Sequence, residues 1–164
     1  MSAPYDDAKT YSAKTSVGYL VRRAHTLMLD AMEPAMAERG VTFTQYIVLT
    51  RLREGIATTA KDICTELRHD SGALTRVIDQ LAERVLVERA RNLKDRRKVE
   101  LRLTALGEQT IERLLPTVVD KMNSALCDFS RDEASELVRL LTKINTTMEA
   151  QLTTTLKRCR IAGQ

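Results

Sequence analysis

The chain has 164 residues and a mass of 18.5 kDa, with 43% apolar residues, 29% charged residues, 6 Gly, 3 Pro and no Trp. This is one domain, or one small domain with an oligomerisation appendage, and it excludes disordered, collagen-like and low-complexity classes. Aromatics at 4% point to a core of Leu, Val, Ile, Ala and Met rather than an all-β sandwich. The net charge is only +4, yet residues 84–102 hold eight cations and three anions, so the basic excess lies in one short segment and points to a polyanionic partner.

No apolar run approaches the ~18 residues a bilayer span needs. The first ten residues lack the apolar centre of a secretory signal. Three widely spaced cysteines, Cys64, Cys127 and Cys159, suit free thiols in a reducing compartment. The expectation is a cytoplasmic protein without a membrane partner. His25 and His69 lack metal-ligand spacing, and His69 reads as a solvated loop residue. With no glycine-rich phosphate loop, carboxylate cluster or Cys/His dyad, the chain is not expected to be an enzyme or to carry a cofactor.

Residues 1–13 are polar and aperiodic and read as a flexible tail. Over 14–40 Leu20, Val21, Ala24, Leu27, Met28, Ala31, Met32, Ala35 and Met36 recur at helical steps. Pro34 is expected to kink or split this helix, and Gly40 to stop it. Thr42 and Gln45 form a capping box opening a second helix, with Ile47, Val48, Leu49 and Leu52 inward, that ends near Glu54-Gly55. A short helix over 60–67 follows, capped by Thr59, with Ile63, Cys64 and Leu67 inward. Asp70-Ser71-Gly72 opens a helix over 71–84. It buries Leu74, Val77, Ile78 and Leu81 and turns Ser71, Ala73, Thr75, Arg76, Asp79 and Gln80 outward. The period then changes to that of two short strands, Val85-Leu86-Val87 and Val99 to Leu103, around a charged tip over 92–97. A long helix over 104–129 is expected to bend at Pro116, and Ser130 to Glu133 caps a last helix over 131–158 with Leu137, Leu140, Leu141, Ile144, Met148 and Leu152 on one face.

Residues 41–103 therefore read as a helix-turn-helix followed by a hairpin. A helix about 10–12 Å across fits a major groove about 12 Å wide. The helix N-terminus favours phosphate, and a cationic hairpin can reach the neighbouring minor groove. Ser71, Gly72 and Ala73 are small enough to let the backbone approach a duplex, and Arg76 lies one turn further on. The first helix and residues 104–160 form a second, helical region. A helix over 104–129 spans about 39 Å, more than the small reading domain covers, so its leucine stripe is assigned to an intermolecular bundle between two copies.

Asp95-Arg96-Arg97 followed by Leu103-Thr104 resembles the D-x-R…L-T hairpin signature of the MarR family of winged helix-turn-helix regulators. Leu74-Thr75-Arg76 leading to Asp79-Gln80-Leu81 is similar to that family's recognition helix, and Val41 to Tyr46 to its entry into the second helix. The resemblance covers roughly residues 15–155. It implies a mainly α winged helix-turn-helix domain with a small β-hairpin and an obligate homodimer built by the first and last two helices. It also implies a pseudo-palindromic operator, repression, and release by a small anionic or phenolic ligand. Carried over by position, Arg97 enters the minor groove with Asp95 holding its guanidinium. Arg91, Lys94 and Arg96 contact phosphate, and Ser71, Ala73, Thr75 and Arg76 face the major groove. Val85 departs from the family, which commonly has Gly before the first wing strand.

Arg22, His25, Met28, Met32 and Tyr46 are candidates for a family-type pocket between the dimer helices and the reading domain, Arg22 meeting a carboxylate and Tyr46 stacking on a ring. The plainer reading of the Met28/Met32/Met36 stripe is core. Two other functions remain open at this point. One is a repressor gated by cysteine oxidation, although peroxide-sensing members keep a Cys near the start of the first helix and this chain has none there. The other is a winged-helix module that docks protein.

Overall fold

The computed structural model of the chain describes Tyr5 and residues 11–68, 70–91 and 98–162, with 155–162 described by backbone alone. After a 3-10 turn at Ala13–Thr15 come α1 (Val17–Ala37), α2 (Phe43–Arg53), α3 (Ala60–Leu67), α4 (Ser71–Glu83), β1 (Val87–Arg91), β2 (Val99–Leu103), α5 (Ala105–Ala125) and α6 (Arg131–Ala162). The order is the one read from the sequence, mainly helical with one antiparallel hairpin. No helix among the described residues is long and apolar enough to cross a membrane.

The helix starts follow from local hydrogen bonds. Thr42 and Gln45 exchange side-chain and backbone bonds at 3.1 Å each, Thr59 and Asp62 do the same, and Asp70 accepts from the Ala73 amide at 2.9 Å. Each satisfies donors that a helix N-terminus otherwise leaves open. Three helix ends share one device. After α1, Gly40 at φ +72° lets Val41 N–H reach the Met36 carbonyl. After α2, Gly55 at φ +66° lets Ile56 N–H reach that of Arg51. After α4, Val85 takes the same left-handed place at φ +57°, with Val85 N–H on Ala82 O and Leu86 N–H on Leu81 O, both 2.9 Å. This is a Schellman end, and it explains why a glycine is expected where this chain has valine.

Several expectations change. Pro34 does not split α1, and α5 likewise continues through Pro116, ending at Ala125 rather than near 129. The N-terminal tail has an anchor, because the Tyr5 phenol oxygen accepts from Val17 N–H at 3.1 Å and its ring meets Tyr11 edge-on. An open amide of the first turn of α1 thus finds a partner outside the helix.

The chain forms two compact units, one through Met122 and a second from Asn123 onward. The reason is packing. Met32 and Met36 of α1, Val41 and Leu114 of α5 form one buried cluster, so α1 and most of α5 belong with the helix-turn-helix. The larger cluster joins Val48 and Leu49 of α2, Ile63 of α3, Leu74, Ile78 and Leu81 of α4, Leu86, Val87, Leu101 and Ile111. Gly107 is the contact point between α5 and the hairpin root, for an added Cβ would strike the Leu86 carbonyl and come within 2.9 Å of the Leu103 side chain. In the second unit α6 starts at a capping box, Ser130 N–H donating to Glu133 Oε2 at 2.8 Å, and leaves Val138, Leu140, Leu141, Met148 and Leu152 exposed.

Candidate nucleic-acid interface

Alternation of apolar and polar residues at helical steps gives α4 two faces. Leu74, Ile78 and Leu81 are buried, whereas Ser71, Gly72, Thr75 and Arg76 are exposed and Ala73 is half-buried. The Thr75 hydroxyl donates to the Ser71 carbonyl at 2.7 Å, which leaves its oxygen facing out as an acceptor. Arg76 forms no ion pair among the described residues. Of the four residues expected at a major groove, Ser71, Thr75 and Arg76 are thus exposed on one helix, and Ala73 lies between its faces. At the start of this helix the Asp70 carboxylate occupies the Ala73 amide and lays negative charge on the positive end of the helix dipole.

Asp79 and Gln80, read from sequence as outward, are half-buried and exposed respectively, and both are also tied to the fold. Asp79 pairs with Arg89 of β1. Gln80 Oε1 accepts from Gln45 Nε2 of α2 at 3.0 Å. These links were missed because their partners are far off in sequence and carry no periodic signal. The same holds for Arg51, which besides its neighbour Glu54 pairs with Glu66 of α3 at 2.9 Å, and for Arg53, which pairs with Glu108 of α5 at 3.3 Å.

The hairpin register sets Arg89 opposite Leu101 and Arg91 opposite Val99. Because side chains alternate across a strand, Arg89 and Arg91 continue the face that Val87, Leu101 and Leu103 bury at the root, the face turned to α4. Glu88, Ala90, Glu100 and Arg102 lie on the other face, where Arg102 pairs with Glu100 at 3.1 Å. Leu101 N–H donates to Thr58 O at 2.8 Å, fixing β2 to the segment before α3. Arg91 is exposed. Lys94, Asp95, Arg96 and Arg97, and likewise His69, lie outside the described residues.

The five candidate pocket residues are not brought together among the described residues. Met32 is buried, and Tyr46 packs on the same cluster. The Tyr46 phenol pKa is raised, first by burial and then by the Glu54 carboxylate, with Arg53 opposing. His25 and Met28 are exposed on α1. Arg22 lines a groove of about 280 Å³ with Tyr19, Arg23, Thr26 and Leu27. A second cavity, about 260 Å³, lies between α3 and α4 and is lined by Lys61, Cys64, Ser71 and Thr75 among others. Cys64 is half-buried and Cys127 exposed, and the Cys159 side chain lies outside the described residues. No cluster of metal-ligating side chains occurs among the described residues.

The MarR family profile matches residues 41–99, from the second helix to the second strand. Over 104 residues the chain is 36% identical to the HTH-type transcriptional regulator MgrA of Staphylococcus aureus, spanning 63% of this chain and 69% of that protein. Bordetella bronchiseptica BpsR, whose DNA binding is regulated by 6-hydroxynicotinic acid, is similar at TM-score 0.72 and 27% identity over 82% of this chain and 96% of that one. A mutant MarR from E. coli complexed with operator DNA is similar at TM-score 0.70 and 25% identity over 82% and 99%. A helix with a sealed inner face and an open polar outer face, followed by a basic hairpin, sits within the matched span. The chain belongs to the MarR family of winged helix-turn-helix transcriptional regulators.

Proposed function

We propose that the chain is a homodimeric repressor that reads a pseudo-palindromic operator with α4 and the hairpin and is released by a small aromatic or phenolic anion. The observation that carries the DNA reading is the exposed row Ser71, Thr75 and Arg76 on a helix whose other side is sealed by Leu74, Ile78 and Leu81. Arg76 suits a bidentate bond to guanine or a grip on phosphate. In this reading Arg97 enters the minor groove, Asp95 holds its guanidinium by a charge-assisted bond, and Arg91, Lys94 and Arg96 rest on phosphates.

Dimerisation is supported by the apolar residues that α1 and α6 leave exposed. They include Leu20, Val21 and Leu27 on the first and Val138, Leu140, Leu141, Met148 and Leu152 on the second, more than a monomer surface ordinarily leaves in contiguous rows. Two copies then set their α4 helices about one DNA turn apart, about 34–36 Å. A ligand that prefers a dimer with another spacing lowers operator affinity by its differential affinity for the two states. The control of BpsR by 6-hydroxynicotinic acid favours an aromatic acid, with Arg22 as its carboxylate partner and His25, Met28, Met32 and Tyr46 toward its ring.

Mobility shift on the DNA upstream of the chain's own gene tests this reading. Expected are retardation that weakens steeply with salt, by ~0.9 in log K per log salt for each phosphate neutralised, strong weakening by Arg97→Ala, and release by aromatic acids. A shallow salt response indicates a protein-docking module instead. Ending the chain after Arg131 is expected to give monomers in sedimentation, and a truncated chain that still sediments as a dimer refutes the interface.

A further inference from the structure

We infer that Gln45 is a positioning residue for DNA recognition, a buried polar bolt that sets the rotation of α4 about its own axis through Gln80. The inference rests on the DNA-reading function proposed above. Gln45 is 5% exposed, so it cannot itself meet a duplex, yet its amide joins three parts of the fold. Its Oε1 accepts from Thr42 N–H at 3.1 Å, at the start of α2, and from Arg84 Nη1 at 3.4 Å, at the end of α4. Its Nε2 donates to Gln80 Oε1 at 3.0 Å, within α4.

The position matters as much as the bonds. Thr42 follows Val41, a member of the cluster with Met32, Met36 and Leu114. Gln80 precedes Leu81, a member of the larger cluster. One side chain therefore registers α4 against the corner where α1 turns into α2. The apolar inner face of α4 cannot do this alone, because hydrophobic contact is non-directional whereas a hydrogen bond fails once its angle is lost. Gln80 stands one turn beyond Arg76 on the same side of α4. With side chains at a radius of about 5–6 Å, a turn of ~10° about the helix axis moves their tips by about 1 Å, more than a base-edge hydrogen bond tolerates. Asp79, the neighbour of Gln80, restrains α4 in a second direction through Arg89.

Binding of wild type, Gln45→Met, Gln80→Met, the double variant and Gln45→Glu to two labelled duplexes tests the bolt. One duplex is the DNA upstream of the chain's own gene and the other a scrambled sequence of equal length. Each Met variant removes the link while keeping similar bulk. Each is expected to lower affinity for the upstream duplex about 3- to 10-fold, the scale of one hydrogen bond. The double variant loses no more than either single one, and affinity for the scrambled duplex, set by phosphate contacts, stays within about twofold. Gln45→Glu restores binding, since a carboxylate still accepts from Thr42 and Arg84 and a reoriented Gln80 amide can donate to it. If Gln45→Met does not fold, Gln80→Met still reports, because it leaves the Thr42–Gln45 cap intact. Additive losses would mean that Gln80 touches DNA on its own account and overturn the inference. So would equal losses on both duplexes, or no loss at all. A wild-type chain that does not distinguish the duplexes overturns the DNA-reading function and the bolt with it.

Discussion

Val85 offers a test of backbone strain with a sign that ordinary propensity does not give. A β-branched residue in the left-handed region is an outlier, and holding an L-residue there costs about 1–2 kcal/mol. Gly40 and Gly55 fill the equivalent place after α1 and α2 without that cost. Val85 is 62% exposed, so replacing it removes little packing, about 0.5–1 kcal/mol if fully burying a valine is worth ~1.5–3. Glycine also gives the unfolded chain extra freedom, a loss of about 0.4–1 kcal/mol against alanine.

These terms nearly cancel for Val85→Gly against wild type, leaving a net change centred near zero and within about 1 kcal/mol of it in either direction. The sharper comparison is Val85→Gly against Val85→Ala, in which both variants lose the side chain. Alanine keeps the left-handed strain and glycine does not, so the glycine variant is expected to be more stable by about 0.5–1 kcal/mol. At an ordinary helical or extended position the order is the reverse. Urea unfolding at fixed protein concentration reads the difference as a higher midpoint with an unchanged slope. A glycine variant less stable than the alanine variant would refute the claim that the end of α4 is strained at this residue.

Gly107→Ala carries the opposite expectation. The added methyl meets the Leu86 carbonyl and the Leu103 side chain, so stability falls by about 1–3 kcal/mol, read as a lower urea midpoint; an unchanged midpoint would show that α5 slides freely past the hairpin root. Glu133 gives a pH signature. Its pKa is lowered, first by the Ser130 backbone amide and then by the Ser130 hydroxyl. Its contribution is therefore fully present above the ordinary Glu pKa and lost as pH falls through the lowered value. Glu133→Gln is expected to flatten stability across that acid window, and an identical acid profile in the variant would dismiss the cap as a contributor.

What was legible in the sequence is what is local. The caps at Thr42, Thr59, Asp70 and Ser130 each span three residues, and all four starts agree with the reading. The inner face of α4 agreed because a 3.6 period fixes which residues share a side. Periodicity cannot say what faces that side: on α1, Met32 is sealed in a core cluster whereas Arg22 is exposed. It also cannot see partners 10 to 39 residues apart, and Asp79, Gln80 and Gln45 all acquire their roles from such partners. Pro34 was expected to kink or split α1; it does not split it, because a proline removes one donor and the remaining turn closes with Glu38 N–H on the Pro34 carbonyl at 3.1 Å.

The charge count over residues 84–102 also overstates what is available to a duplex, and the structure divides the cations among the described residues into two sets. Arg89 is matched by Asp79 and Arg102 by Glu100, so each pair has no net charge with which to displace counterions. Arg84, Arg91 and Lys98 form no ion pair among the described residues. Exposed pairs contribute only about 0–1 kcal/mol, so the distinction lies in salt response rather than in stability. Arg91→Ala is expected to reduce the slope of log K against log salt by about 0.9 for each protomer bound. Arg102→Ala, which removes a cation already neutralised on the hairpin's other face, is expected to leave the slope near its wild-type value. Equal slopes for the two variants would mean that the hairpin meets DNA with its other face, or not at all, and would reverse the assignment of which arginines bind and which only hold the wing.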